Sequence, residues 1–162
     1  MSERADPSAR SPDPIPADYR GATPYLCVHD GKGALDFYQR AFGAKETMRM
    51  TQPDGRIGHA EFRIGDAVIM LADEFPEMGF RSPKTLGGSP VNLLVYVPDV
   101  DAFVKQAEAA GATVQRPPAD QFYGDRMATL TDPYGHGWSI ATHVEDVSAE
   151  EMERRAREQK GG

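Results

Sequence analysis

His59, Glu61 and Arg63 alternate in the run GHAEFRIG, so on an extended strand their side chains leave from one face. A carboxylate in a partly apolar pocket has its pKa raised and can act as a base, and Glu61 beside His59 fits that role. Arg63 can hold a substrate carboxylate or stabilise an enolate. The same trio can equally be a polar wall, with Glu61–Arg63 pairing pulling the Glu61 pKa down. His143 offers a second imidazole far along the chain. Two imidazoles and a carboxylate form an open coordination set, so a divalent metal on His59, Glu61 and His143 is an alternative wherever the fold joins them. Cys27 is the only cysteine. It reads as a small buried filler, because no helix N-terminus or cation stands beside it in sequence.

Alternation and helical periodicity supply the elements that position these groups. The chain reads as an extended stretch from 23 to 28, then a helix marked by Leu35, Tyr38 and Phe42 and stopped by Gly43. Strands follow near 44–51, 57–64 and 67–72, the last two joined at Gly65-Asp66. The order then recurs. A strand spans 91–97, Asp99 caps a helix with Val100, Phe103, Val104 and Ala107 on one face, and Gly111 ends it. Strands near 113–117, 126–132 and 137–143 complete the second pass, with Asp132-Pro133-Tyr134-Gly135 read as turn chemistry. Two βαβββ modules at a fixed offset predict an α+β fold with pseudo-two-fold symmetry.

One face of each sheet must pack on its helix. Ala60, Phe62, Ile64, Ala67, Ile69 and Leu71 are assigned to that side in the first module, and Trp138 and Ile140 in the second. The opposite faces then carry Thr23, Tyr25, Cys27, His59, Glu61, Arg63, Val68, Met70 and Ala72, and Asn92, Leu94, Tyr96, Gly137, Ser139, Ala141 and His143. Such mixed polarity suits a small organic ligand. Tyr25, His59, Glu61, Arg63, Asn92, Tyr96 and Ser139 are its expected contacts. Tyr123 joins them from a Gly-containing segment with Phe122, Asp125 and Arg126 that reads as a rim or lid. Gly87-Gly88 reads as a linker between modules, since no Lys-Ser/Thr follows to make a phosphate loop.

The strings ATPYLCV, ALDFYQRAFGA, GHAEFRIGDAVIMLADE, YGDRMATLTDPYGHGW and ATHVEDVS, in this order, resemble the vicinal-oxygen-chelate superfamily, and within it the PhnB-like branch. That superfamily holds glyoxalase I, extradiol dioxygenases, and fosfomycin- and bleomycin-resistance proteins. The resemblance covers residues 22 to 147 and implies paired modules forming a U-shaped cavity, often completed by a homodimer. Metal-dependent members carry ligands on the first and last strand of each module. The matching positions here are Thr23, Met70, Asn92 and Ser139, none of them His or Glu. A thioether, an amide and two hydroxyls suit a divalent ion poorly, so the reading expects no family metal and no cofactor.

Composition sets the remaining bounds. The chain has 162 residues and a net charge of -7, which suits one acidic domain and disfavours binding to nucleic acid. No apolar run spans a bilayer and no secretory signal opens the chain, so a cytoplasmic protein without membrane contact is expected. Residues 1–20, with four prolines among small polar residues, read as a flexible arm; 21–147 is the domain, its modules near 22–73 and 89–143. Residues 148–162 read as a charged helical tail opened by a Ser148/Glu151 capping box, with Glu150/Arg154, Glu151/Arg155 and Glu153/Arg157 pairs. Three functions stay open. They are a metal-independent small-molecule binder, a lyase or isomerase acting beside a carbonyl with Glu61 as base, and an interaction module whose tail helix docks a partner.

Overall fold

The computed structural model describes residues 10–161. The first module runs β1 (Tyr25–Val28), α1 (Gly31–Phe42), β2 (Lys45–Thr51), β3 (Ile57–Ile64) and β4 (Ala67–Asp73). A linker with a 3-10 turn at Pro76–Met78 and the one-turn helix α2 (Pro83–Leu86) leads to the second. That module is β5 (Asn92–Tyr96), α3 (Val100–Ala110), β6 (Thr113–Asp120), β7 (Asp125–Thr131) and β8 (Gly137–His143), and α4 (Ala149–Lys160) closes the chain. Each module forms one four-stranded sheet, ordered β1-β4-β3-β2 and β5-β8-β7-β6. The β1–β4 and β5–β8 pairs are parallel, with Tyr25 opposite Met70 and Leu94 opposite Ser139, two pairs offset by 69 residues. The α+β reading with two βαβββ modules therefore holds.

Local chemistry explains the element ends. The Asp30 and Asp99 side chains accept from the backbone N–H groups of Gly33 and Ala102, capping α1 and α3. Gly43, at φ 65, ends α1 in the left-handed region that a glycine enters without Cβ strain. Gly65, at φ 56, makes the β3–β4 hairpin turn. β1 begins at Tyr25, two residues later than its sequence pattern suggested. β6 runs on to Asp120 through Pro117 and Pro118, which this outermost strand accommodates with a register irregularity between Arg116 and Ala119 in its ladder to β7.

The helices bind the modules into one core. Phe42 of α1 stacks on Phe103 of α3 with ring centroids 5.3 Å apart, and the Gln106 amide donates to the Arg40 carbonyl. Ala60, Phe62, Leu71, Leu130, Trp138 and Ile140 are buried beneath them, as alternation required. The other face of each sheet stands open within one chain: Tyr25 is 47% exposed, Leu94 51% and Tyr96 58%. In α4, Ser148 accepts from the Glu151 N–H, and the Glu151–Arg155 and Glu153–Arg157 pairs form. Arg154 departs from expectation, bonding Glu151 and Glu158 instead of Glu150. Arg155 also reaches the Phe122 carbonyl and Glu145, so the tail packs on its own domain.

Candidate functional site

On the open face of the first sheet, register sets Met48, Glu61, Met70 and Tyr25 side by side across four strands. Met50 lies opposite His59, and Lys45 and Val68 flank Arg63. A hydrogen-bonded chain crosses this surface. The Tyr25 hydroxyl meets His59 Nδ1 at 2.7 Å, and His59 Nε2 meets Glu61 Oε1 at 3.1 Å. Tyr19 completes it, donating its hydroxyl to Glu61 Oε2 at 2.5 Å. Glu61 is buried, and the Tyr19 hydrogen bond, seconded by His59, holds its carboxyl below the usual range. It is thus an ionised acceptor in the resting protein and not a carboxyl raised toward neutrality.

The Glu61–Arg63 ion pair of the alternative, polar-wall reading is not formed. Arg63 turns to Asp18, with 3.1 Å between Nη2 and Oδ2, and donates to the Asp66 carbonyl. Residues two apart on a strand are separated by about 6.5–7 Å along it, so nearby groups outside the sheet compete successfully. Asp18 and Tyr19 come from a 3-10 turn at Ala17–Tyr19, inside the segment that the sequence read as a flexible arm. Residues 1–9 of that arm lie outside the described residues.

His143 does not join His59 and Glu61. Its Nδ1 is 2.8 Å from Asp125 Oδ1 and its Nε2 2.7 Å from Asp146 Oδ1, while Tyr96 donates to Asp125 Oδ2 at 2.6 Å. Two carboxylates on one imidazole, Asp146 first and then Asp125, raise its pKa. Among the described residues no three His, Cys, Asp or Glu side chains are placed to hold a metal ion. The alternative His59–Glu61–His143 site is therefore not assembled within one chain, because the second module supplies His143 with its own partners.

The four positions that the resemblance matches to the family's metal ligands are Thr23, Met70, Asn92 and Ser139. Asn92 donates its side-chain amide to the Ser139 hydroxyl at 2.6 Å, so two of the four polar groups satisfy each other. Met70 lies between Glu61 and Tyr25, and Thr23 precedes β1. Hydroxyls, an amide and a thioether do not fit a hard or borderline divalent ion.

The second sheet's open face is chemically quieter. Thr129, Ser139 and Leu94 form one cross-strand row, and Met127, Ala141 and Tyr96 the next. Tyr123 is half-buried, with its hydroxyl near Met127 Sδ at 3.9 Å, and Arg126 is committed to Asp101 and Asp120. Cys27 is buried and its thiol is pushed up to about 11, chiefly by burial, which keeps it protonated and inert. Two of the cavities lie against β5. One of about 460 Å³ is lined by Ile69, Leu94, Tyr96 and Phe103, and one of about 340 Å³ by Tyr25, Cys27, Arg81 and His136. Neither includes Glu61 or His59, which stay on the open face. Sequence reasoning missed Asp18 and Tyr19; the one available signal was a lone aromatic in a polar, proline-rich stretch.

Comparison with known proteins agrees with this architecture. Residues 22–140 match the model of the Glyoxalase/Bleomycin resistance protein/Dioxygenase superfamily. The chain is 43% identical over 134 residues to the uncharacterized protein Rv0887c of Mycobacterium tuberculosis, covering 81% of this chain and 79% of that one. The crystal structure of TioX from Micromonospora sp. ML1 is similar at 26% identity and a TM-score of 0.59, over 79% of this chain and 99% of that one. The fosfomycin resistance protein FosX from Mesorhizobium loti shares the fold at 19% identity and a TM-score of 0.56, over 85% of this chain and 98% of that one. With the repeated modules, the paired registers and the family match over most of its length, this chain belongs to the glyoxalase/bleomycin resistance/dioxygenase superfamily.

Proposed function

We propose that the protein binds a small organic molecule on the open face of the first sheet, at His59, Glu61 and Arg63, without the metal of its metal-dependent relatives. The observation that carries this reading is the Tyr25–His59–Glu61–Tyr19 chain beside Arg63. An ionised acceptor and a guanidinium lie on a sheet face whose neighbours, Met48, Met50 and Met70, are adaptable apolar contacts. Tyr19 on Glu61 and Asp18 on Arg63 come from a terminal turn outside the sheet, so a ligand can replace these two partners without breaking the fold. The donor set at Thr23, Met70, Asn92 and Ser139 supports the metal-free part. Tyr25, Tyr96, Tyr123, Asn92 and Ser139 serve as further contacts when a second copy closes the open faces, in a homodimer acting in the cytoplasm.

A thermal-shift screen of the full chain against small organic acids and zwitterions tests this. Stabilisation by a charged ligand that is lost in both Glu61→Gln and Arg63→Gln is expected. Stabilisers that act equally on all three proteins overturn the assignment of the site.

A second reading rests on the same carboxylate. In a lyase or isomerase, Glu61 takes a proton from carbon beside a carbonyl, and Arg63 holds the enolate until the proton returns. The low Glu61 pKa makes it a weak base and favours binding. Glu61→Gln separates the two readings: turnover collapses in an enzyme, whereas binding of a neutral ligand persists in a binder.

A further inference from the structure

The Ala17–Tyr19 turn touches the body of the domain through its polar ends. Among the described hydrogen bonds and ion pairs, those joining residues 10–20 to the rest are Tyr19 to Glu61 and Asp18 to Arg63. The remaining ones, Tyr19 N–H to the Pro16 carbonyl, Ile15 N–H to Asp13 and Arg20 to Asp13, lie within the segment. No residue of the turn is fully buried; Tyr19 is half-buried and its neighbours are exposed. A phenol thus rests on the acceptor of the site, and a carboxylate on its cation.

We infer that this turn is an internal occupant of the site: Tyr19 and Asp18 stand where a ligand's hydroxyl and carboxylate belong. The inference rests on the function proposed above and gives it a substrate class, hydroxy acids with a phenol or alcohol at one end and a carboxylate at the other. Glu61 and Arg63 leave their strand about 6.5–7 Å apart, which sets the span between the two groups. Glu61, held ionised, accepts the ligand hydroxyl as it accepts that of Tyr19. Arg63 takes the ligand carboxylate in place of Asp18, where a planar guanidinium can make two parallel hydrogen bonds. Binding must displace the turn, so the resting chain is its own competitor. Affinity is reduced by the fraction of molecules whose site is uncovered.

The test compares the full-length chain with its Asp18→Asn/Tyr19→Phe double variant. These side chains lie outside the core, and the changes keep chain length and shape. The probe is 4-hydroxyphenylacetate, titrated calorimetrically, with phenylacetate and 4-hydroxybenzyl alcohol as analogues lacking one group each. The double variant is expected to bind the probe on the order of tenfold tighter than the wild type. Each analogue should bind it more weakly than the probe, and Glu61→Gln placed in the variant should abolish the preference for the hydroxyl. In the wild type, the probe should also speed tryptic cleavage after Arg20 by releasing the turn. Equal affinity of both chains, still dependent on Glu61, overturns the occupant and leaves the site standing. No saturable binding to either chain overturns the occupant and the assigned site together.

Discussion

Asp132→Ala strikes a buried hydrogen bond between the two modules. Asp132 is 4% exposed, and its two oxygens serve four donors. Oδ2 takes the Tyr38 hydroxyl at 2.5 Å and Trp138 Nε1 at 2.9 Å; Oδ1 takes the backbone N–H groups of Tyr134 and His136 at 2.9 and 3.0 Å. Tyr38 belongs to α1 and Trp138 to β8, and both are fully buried, so without the carboxylate two core donors have no partner. Each orphaned group costs about 1–3 kcal/mol, and removing the buried charge recovers part of its desolvation, for a net loss of about 3 kcal/mol. In a chain of this size that lowers Tm by about 6–12 °C. Tyr38→Phe leaves the carboxylate three donors and should cost about 1 kcal/mol. Urea denaturation of both variants measures the difference. A loss below about 1 kcal/mol in Asp132→Ala refutes the claim that this carboxylate clamps the core.

Four further outcomes follow from named contacts. Gly124→Ala should destabilise the domain by more than about 2 kcal/mol, because Gly124 sits at φ 98 and a Cβ there would meet the Glu145 carbonyl oxygen; thermal unfolding reads it. His143, raised above 6.5, contributes stability that is complete below its unfolded pKa and lost as pH rises through the folded value, so Asp146→Asn should lower its NMR titration midpoint. Glu61 is shifted the other way. Its contribution is present above the unfolded pKa and lost as pH falls through the folded one, and Tyr19→Phe should raise its carbon-13-detected titration midpoint. Deleting residues 148–162 should expose the segment around Phe122 to faster hydrogen exchange, since Arg155 bonds that carbonyl and Glu145.

Much of the fold was legible because short-range rules and long-range packing agree. Alternation separated His59, Glu61 and Arg63 from Ala60, Phe62 and Ile64, and the apolar three are buried as required, with Glu61 buried as well under its own hydrogen bonds. Asp99, Gly43 and Gly111 punctuate helices where their capping chemistry requires. The candidate site was legible only in part. Its strand residues follow from period two, but their partners do not, because contacts between segments far apart in sequence leave no periodic trace. Tyr19 meets Glu61 across 42 residues, and Tyr38 meets Asp132 across 94. Asp132 was readable as the start of a turn, which it is, while its second oxygen serves the core. The linker hid two short helical turns; there Glu74 accepts from the Ser82 N–H and the Thr85 hydroxyl, and the Ser82 side chain first, with these two bonds, holds its carboxyl down to about 2.

The central claim is a small-molecule site that works without the superfamily's metal. Metal content decides it most directly: untagged full-length protein is incubated with Zn, Ni, Mn and Fe(II), desalted, and measured by elemental mass spectrometry. A negligible amount of every metal per chain is the predicted result, with ligand-induced stabilisation unaffected by a chelator. Close to one equivalent of a single metal, lost in His59→Ala, would contradict the account and make a metal centre the heart of the site.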